Sequence, residues 1–425
     1  MTAAGPILTV HRSTHQIGGN CIELAFDGHR LLLDAGEPLD TDESSPSERL
    51  IPSTLDTAGD IDALIISHPH QDHWGLVTQL PPHWPVWRGQ GAGILMDMTA
   101  RVRRQRIPGP LHTFRSGVPF TVGPFTITPY LTDHSAFDAH MLLVDCGGKR
   151  LLYSGDFRRT GRKRVLVDRM MAKPPKNVDV LLIEGTTLGR EGTVRTEEEL
   201  QSELETLFKT TEGRVFVSWS AQNIDRTVSL YKACKGARRA FVLDVYTLDV
   251  LERLSALGYR LPRLGLPGVR PVVTSGMIRL YGDPARMDCP SFVERCATTN
   301  GALGAAGLEK LRKSVVMLRP SLLRDFLAKG IVFDKHDAWV FSMWKGYLDK
   351  PDYQEVRKVF EAAGATVHEE KYHTSGHASG ADLEEFARRM SPRYLVPVHG
   401  EAWDQHLGRF GNVLRLNDGE AFEIV

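Results

Sequence analysis

The sequence predicts an α/β protein in which a β-rich domain is interrupted by an inserted α/β domain with a parallel sheet and flanking helices. Three observations lead there. Short apolar, strand-like runs dominate the first third, strand–helix alternation sets in near Thr196, and the segment after residue 371 returns to the first style. The 425 residues suit two or three domains at roughly 100–200 residues each. The expected boundaries are 1–189, 190–371 and 372–425, with the first and third segments forming one domain. Apolar residues at 42% and charged residues at 24% are ordinary globular proportions, which exclude a largely disordered chain.

Taken in order, Ile7–Val10, Cys21–Phe26 and Arg30–Asp34 are short and apolar, and Asp27-Gly28 supplies the residues of a tight hairpin turn. Ala63–Ile66 is apolar without alternation, as a strand covered on both faces is. Phe120–Leu131 alternates in part, Met141–Cys146 and Arg150–Tyr153 flank a Gly-Gly turn, and Val180–Ile183 is continuous again. Thr196 with Glu199 forms a capping-box pattern that opens a helix running to Lys209. Beyond it Arg214–Trp219, Ala240–Val245 and Trp339–Ser342 read as strands, and Asp225–Lys235, Leu248–Leu257 and Gln354–Ala363 as helices. Residues 262–290 are rich in Pro and Gly and carry no periodicity. The chain closes with a helix Ala381–Met390, a strand Tyr394–Pro397 and a hairpin through Asn417-Asp418-Gly419.

The 52 basic and 52 acidic side chains cancel, which argues against a protein that coats nucleic acid over its whole surface and leaves room for a local basic cluster. No window approaches 18 consecutive apolar residues and the N-terminus lacks a basic, then apolar, leader, so neither a membrane span nor secretion is expected. Five cysteines, odd in number and never in a CxxC pair, fit free thiols in a reducing cytoplasm. Cytoplasmic localisation is the expectation. The sixteen histidines stand out because several are clustered.

His68-x-His70-x-Asp72-His73 follows directly on the run Ala63–Ile66. Alternate residues of an extended segment point the same way, so His68 and His70 converge on one ion, and the following turn carries Asp72 and His73 towards a second. Imidazole and carboxylate are the ligands zinc takes in hydrolytic sites that keep positions open for water. Two further candidates, His134 and Asp156, also stand at strand ends, and a carboxylate such as Asp156 can bridge two cations.

With these motifs in place the sequence resembles the metallo-β-lactamase superfamily, whose ordered motifs match Asp34, His68/His70/Asp72/His73, His134, Asp156 and His399. Within it the chain is similar to the β-CASP nucleases. Their three added motifs match Glu184 in Leu182-Ile183-Glu184-Gly185, His377 in His373-Thr374-Ser375-Gly376-His377-Ala378, and His399 in Pro397-Val398-His399-Gly400-Glu401. Val217–Arg226 looks like the start of the family's inserted domain, and the last two motifs look most like the ribonuclease J branch. The resemblance implies a four-layer αββα metallo-β-lactamase domain with an inserted α/β β-CASP domain closing over it to form an RNA channel. It further implies two Zn2+, with Mn2+ or Mg2+ as substitutes in vitro. His68, His70 and His134 would hold one ion, Asp72, His73 and His399 the other, and Asp156 would bridge them. His377 would be the general acid and Glu184 its orienting partner, with Asp72 completing the catalytic group. The implied reaction is hydrolysis of single-stranded RNA by a metal-bound hydroxide, in endo- or 5′-3′ exonucleolytic mode, leaving 5′-phosphate and 3′-hydroxyl ends. Histidine at position 399 is the mark of RNA-processing members, valine that of the DNA-repair branch. The chain stops soon after the last motif, so the C-terminal domain through which ribonuclease J assembles is expected to be lacking, and a homodimer would form by another route.

Substrate contacts are expected from Ser220 and Asn223 at a helix start, since helix N-termini favour anions, and from His373 and Ser375 beside His377. The basic run Arg158–Arg164, with Arg158 and Arg162 as its candidates, begins two residues after Asp156 and is expected to track the RNA backbone. A second run, Arg101–Arg106, reads as a solvated face, and Trp219, Trp344 and Tyr347 are candidates to stack bases. Three rival readings are a di-zinc hydrolase of a small ester or amide, a non-catalytic β-CASP subunit that binds RNA or a partner, and a DNA-cleaving enzyme, against which His399 stands.

Overall fold

The continuous apolar runs are strands buried on both faces. In His140–Cys146, Leu142 and Val144 enter one core while Met141 and Leu143 enter another; Leu151 and Leu152, and Leu182 and Leu181, divide in the same way. The first core lies between two sheets. One sheet has the order Ala421–Glu423, Ile7–Arg12, Cys21–Phe26, His29–Ala35, Ala63–Ile66, Val86–Gly89, Leu111–Phe114. The other has the order Tyr394–Pro397, Val180–Ile183, Lys149–Tyr153, His140–Cys146, Phe125–Leu131, Phe120–Val122. The second core covers the outer face of that latter sheet with helices Arg164–Ala172 and Gly380–Met390, through Val167, Met171, Leu383, Phe386 and Met390. On the other side the short helix Gln71–Trp74 packs on His29–Ala35, and a bidentate Arg88–Asp97 pair at 2.7 and 2.9 Å holds helix Gln90–Val102 to the first sheet. This is the αββα arrangement. The computed structural model describes residues 5–39, 50–190, 194–369 and 371–425.

The chain divides into two compact units, Met1–Asp97 with Arg106–Val194 and Gly376–Val425, and Met98–Gln105 with Arg195–Ser375. The sequence-based junctions at 189/190 and 371/372 fall a few residues before these. The second unit is a parallel sheet in the order Val269–Val272, Ala240–Asp244, Ser314–Met317, Val215–Ser218, Ala338–Phe341, Thr366–His368. Its first helix starts after Val194 are side-chain capped: Thr196 and Glu199 form the capping box ahead of Glu197–Thr210, and Asn223 and Asp244 cap the next two helices.

Several expectations need correction. Phe120–Leu131 is two strands, because Gly123 at φ +52° turns the chain into a hairpin between them. The Asn417-Asp418-Gly419 turn does not close a hairpin; the strand after it, Ala421–Glu423, pairs with Ile7–Arg12. The stretch 262–290 holds the strand Val269–Val272 and the helix Ser275–Tyr281. Among the described residues all five cysteines are free, and no helix is long and apolar enough to cross a membrane.

Candidate metal centre

Strand direction assembles the site. Lys149–Tyr153, Val180–Ile183 and Tyr394–Pro397 are adjacent and parallel, so the residues just past their ends, Asp156, Glu184 and His399, share one edge. Phe125–Leu131 is two antiparallel steps away and therefore ends at the same edge, bringing His134. From the facing sheet, Ala63–Ile66 delivers His68 and His70, and the first turn of Gln71–Trp74 carries Asp72 and His73. His377 lies in the loop before Gly380–Met390, whose N-cap is Ser379. All these residues belong to the first unit.

The ligand atoms of His68, His70, His134 and Asp156 lie within 4.8 Å of one another, and so do those of Asp72, His73 and His399. Asp156 stands at the junction: its Oδ2 is 3.6 Å from His68 Nε2, 3.2 Å from His73 Nε2 and 3.7 Å from His399 Nε2. Both Asp156 oxygens and the Nε2 atoms of His68, His73 and His399 are buried and make no hydrogen bond. Buried polar atoms left without hydrogen bonds are costly, so converging lone pairs of this kind fit divalent cations. Burial first, then mutual repulsion of the imidazoles, holds His68 and His134 well below the ordinary histidine range and His70 at about 4, so their ring nitrogens are neutral and available as ligands. Burial opposes ionisation of Asp156, but His399, His73 and His377 override it and hold the carboxyl well below the usual range.

The outer contacts fix tautomers. Asp34 Oδ2 accepts from His73 Nδ1 at 2.7 Å and from Ser67 Oγ at 2.7 Å, and His134 Nδ1 donates to the Gly376 carbonyl. Asp34 at φ +61° and His399 at φ +50° sit in a backbone region that non-glycine residues avoid, a strain that clusters at functional sites. His377 Nδ1 is 2.8 Å from Glu184 Oε2, while Glu184 Oε1 accepts the Phe157 N–H at 2.9 Å. Burial pushes His377 down, yet the Glu184 and Asp156 carboxylates outweigh it and raise its pKa to about 9.

The substrate-contact candidates lie in less convergent places. Arg158 is fully buried and paired with Asp133, whose carboxylate also accepts the Gly161 N–H, so it braces the loop after Asp156 and does not face a polymer. Its neighbour Arg159 is paired with Asp168, Asp382 and Glu385, while Arg162 is half-buried. In the second unit Ser220 is exposed, and Asn223 accepts from the Arg226 N–H as a helix N-cap. His373 is half-buried and Ser375 exposed. Arg101 and Arg104 pair with Asp288 and Asp283. Trp219 is buried and donates to Thr227, whereas Trp344 and Tyr347 are exposed. Sequence reasoning missed Ser67, Asn20 and Tyr153, polar residues sealed behind the ligands; a tyrosine or asparagine in a strand-end sequence carries no signal of such a partner.

Comparison with known proteins agrees with this geometry. The metallo-beta-lactamase superfamily model matches residues 16–180, and the model of the Zn-dependent metallo-hydrolase RNA specificity domain matches residues 367–407. Ribonuclease J of Mycoplasma genitalium is 22% identical over 405 residues, covering 91% of this chain and 66% of that protein. Ribonuclease J of Mycobacterium tuberculosis is 25% identical over 420 residues, covering 94% of this chain and 70% of that protein. The chain thus spans about two thirds of the length of these relatives. A crystal structure of a protein of unknown function from Enterococcus faecalis V583 has the same fold, with a TM-score of 0.78 at 19% identity, covering 99% of this chain and all of that one. The chain thus carries a metallo-beta-lactamase domain and an RNA specificity domain, and together these fit the β-CASP nuclease group.

Proposed function

We propose that this protein is a metal-dependent ribonuclease that hydrolyses phosphodiester bonds of single-stranded RNA, with two Zn2+ at the sets His68/His70/His134 and Asp72/His73/His399 and Asp156 between them. The observation that carries the reading is the His377–Glu184 pair, 2.8 Å apart and with His377 Nδ1 3.7 Å from Asp156 Oδ2. Hydrolysis of a small ester or amide has no need of this added acid at the edge of the cation sets. The match to an RNA specificity domain over residues 367–407, which contains both His377 and His399, supports RNA as substrate. The names of the relatives point the same way.

Divalent cations held by these residues would supply an activated water for attack on phosphorus and offset the charge that develops on the phosphoryl oxygens. Everything else falls to the chain. Asp156 and Asp72 bring negative charge that makes the cluster of imidazoles a cation site. The contacts from Asp34 and Gly376 hold the Nδ1 sides of His73 and His134 outward, so that their Nε2 atoms face the cation positions. His377, held protonated by Glu184, donates a proton to the leaving 3′-oxygen as the P–O3′ bond breaks and water adds to phosphorus. The products are a 5′-phosphate and a 3′-hydroxyl.

The test is a time course on single-stranded RNA labelled at each end, with 5′-phosphate or 5′-hydroxyl starts, beside a panel of β-lactam, thioester and lactone substrates. Chelator-sensitive cleavage of RNA, restored by Zn2+, is expected. Turnover of a panel compound with intact RNA would replace this reading by the small-ester hydrolase.

A further inference from the structure

We propose that Asn20 and Tyr153 are positioning residues that act on one cation position alone, the Asp72/His73/His399 set. The inference rests on the two-set reading above and adds an asymmetry to it.

The donor and acceptor inventory leaves one assignment. Tyr153 Oη lies 2.7 Å from Asp34 Oδ2, and a carboxylate only accepts, so the phenol donates. The phenol oxygen then accepts the Asn20 Nδ2–H at 2.7 Å, which fixes the amide with Oδ1 towards His399. Oδ1 is 2.7 Å from His399 Nδ1 and cannot donate, so Nδ1 carries the proton and Nε2 presents its lone pair to the centre. The Gly18 N–H, 3.3 Å from the same nitrogen, is the longer contact and yields to it. At the far end Asp34 Oδ2 accepts from His73 Nδ1 at 2.7 Å, which leaves His73 Nε2 facing inward in the same way. The path His399–Asn20–Tyr153–Asp34–His73 therefore begins and ends on the two histidines of one set. Asn20 also reaches the third member, because its N–H donates to the Asp72 carbonyl at 3.1 Å. Asn20, Tyr153 and Asp34 are fully buried, so water does not substitute for a deleted partner.

The other set makes no contact with Tyr153 or Asn20 among the described hydrogen bonds. His68 Nδ1 is 3.0 Å from Ser67 Oγ, which also lies 3.5 Å from His73 Nδ1, and His134 Nδ1 donates to the Gly376 carbonyl. Asp34 touches both sets, since it also accepts from Ser67, so it does not discriminate between them. Tyr153 and Asn20 do.

The experiment is stepwise Zn2+ binding to the full chain by competition with a chelator, for the wild type, Tyr153→Phe and Asn20→Ala, with the Co2+ absorption spectrum as a second readout. Orienting contacts of this kind change metal affinity by roughly 10–100-fold. One of the two dissociation constants is expected to rise by about that factor in each variant, with the other unchanged within threefold. In a His399→Ala background, where that set is already broken, Tyr153→Phe is expected to have no further effect. A general loosening of the fold would weaken both sites, and equal weakening of both constants overturns the proposal. So do unchanged constants in either variant when the wild type binds two cations. A wild-type chain that takes up fewer than two cations overturns the two-set reading itself and this proposal with it.

Discussion

Replacing Arg226 by Met is predicted to be among the most damaging single changes in the second unit. Arg226 is fully buried and all its donors are used. Nη2 donates to Glu197 Oε1 at 2.8 Å and Thr374 Oγ1 at 2.9 Å, Nε to Glu197 Oε2 at 3.3 Å, and Nη1 to Ser342 and to the Tyr372 carbonyl. Without the guanidinium, Glu197 keeps the hydroxyls of Ser229 and Thr374, both at 2.7 Å, and loses the counter-charge that Arg226 supplies in a site closed to water. Leaving a buried charge uncompensated in this way costs about 3–5 kcal/mol, a large part of the roughly 5–15 kcal/mol by which a domain is stable. Urea unfolding of Arg226→Met should show that loss, and Glu197→Gln in the same background should recover more than half of it, because the stranded charge is then gone. Thr374 precedes His377 by three residues, so RNA cleavage should also fall further than metal content. An Arg226→Met protein within about 1 kcal/mol of wild type, or a double variant no better than the single, would refute the reasoning.

Other outcomes follow from the same contacts. Glu184→Gln should cleave RNA some 10²–10⁴-fold more slowly at neutral pH while binding its cations normally. Since the Glu184 carboxylate is the chief group raising His377, whose pKa is about 9, the alkaline fall in kcat/KM should move to lower pH, and an unmoved limb would count against the acid role. Gly36→Ala would place a methyl 1.7 Å from the Asp72 carbonyl oxygen; the turn carrying Asp72 and His73 must shift, and metal titration should register the loss. Burial raises Glu23, but hydrogen bonds from His11 and Arg30 outweigh it and hold the carboxyl at about 2. A depressed folded pKa contributes stability above the unfolded value of about 4.3 and loses it on acidification. Glu23→Gln should therefore be less stable by a gap that is constant from pH 7 to about pH 5 and narrows below pH 4, as thermal denaturation would reveal.

The clustering of the candidate residues was legible because its signal is local: His68, His70, Asp72 and His73 lie within six consecutive positions, and His134, Asp156, Glu184 and His399 each follow a recognisable apolar strand. What joins residues far apart in sequence was not. Tyr153 meets Asn20 across 133 positions and Arg226 meets Thr374 across 148, and no spacing advertises either pair. The burial of Arg158, the first residue of the basic run after Asp156, was hidden for the same reason, since charge is visible in a sequence and the buried partner Asp133 is not. Helix Gln90–Val102 escaped notice because Gly91 and Gly93 depress helix propensity. A Cβ at Gly93 would lie 2.8 Å from Arg88 Nε, so that glycine serves the Arg88–Asp97 pair and not the helix.

The central claim is that two cation sets and the His377–Glu184 pair form one centre for RNA hydrolysis. It is tested most directly by mass analysis of the ends left on single-stranded RNA by the zinc-loaded wild type and by His68→Ala. The account predicts 5′-phosphate and 3′-hydroxyl ends from the wild type and intact RNA with the variant. Equal cleavage by both proteins, or cyclic-phosphate ends from the wild type, would contradict it.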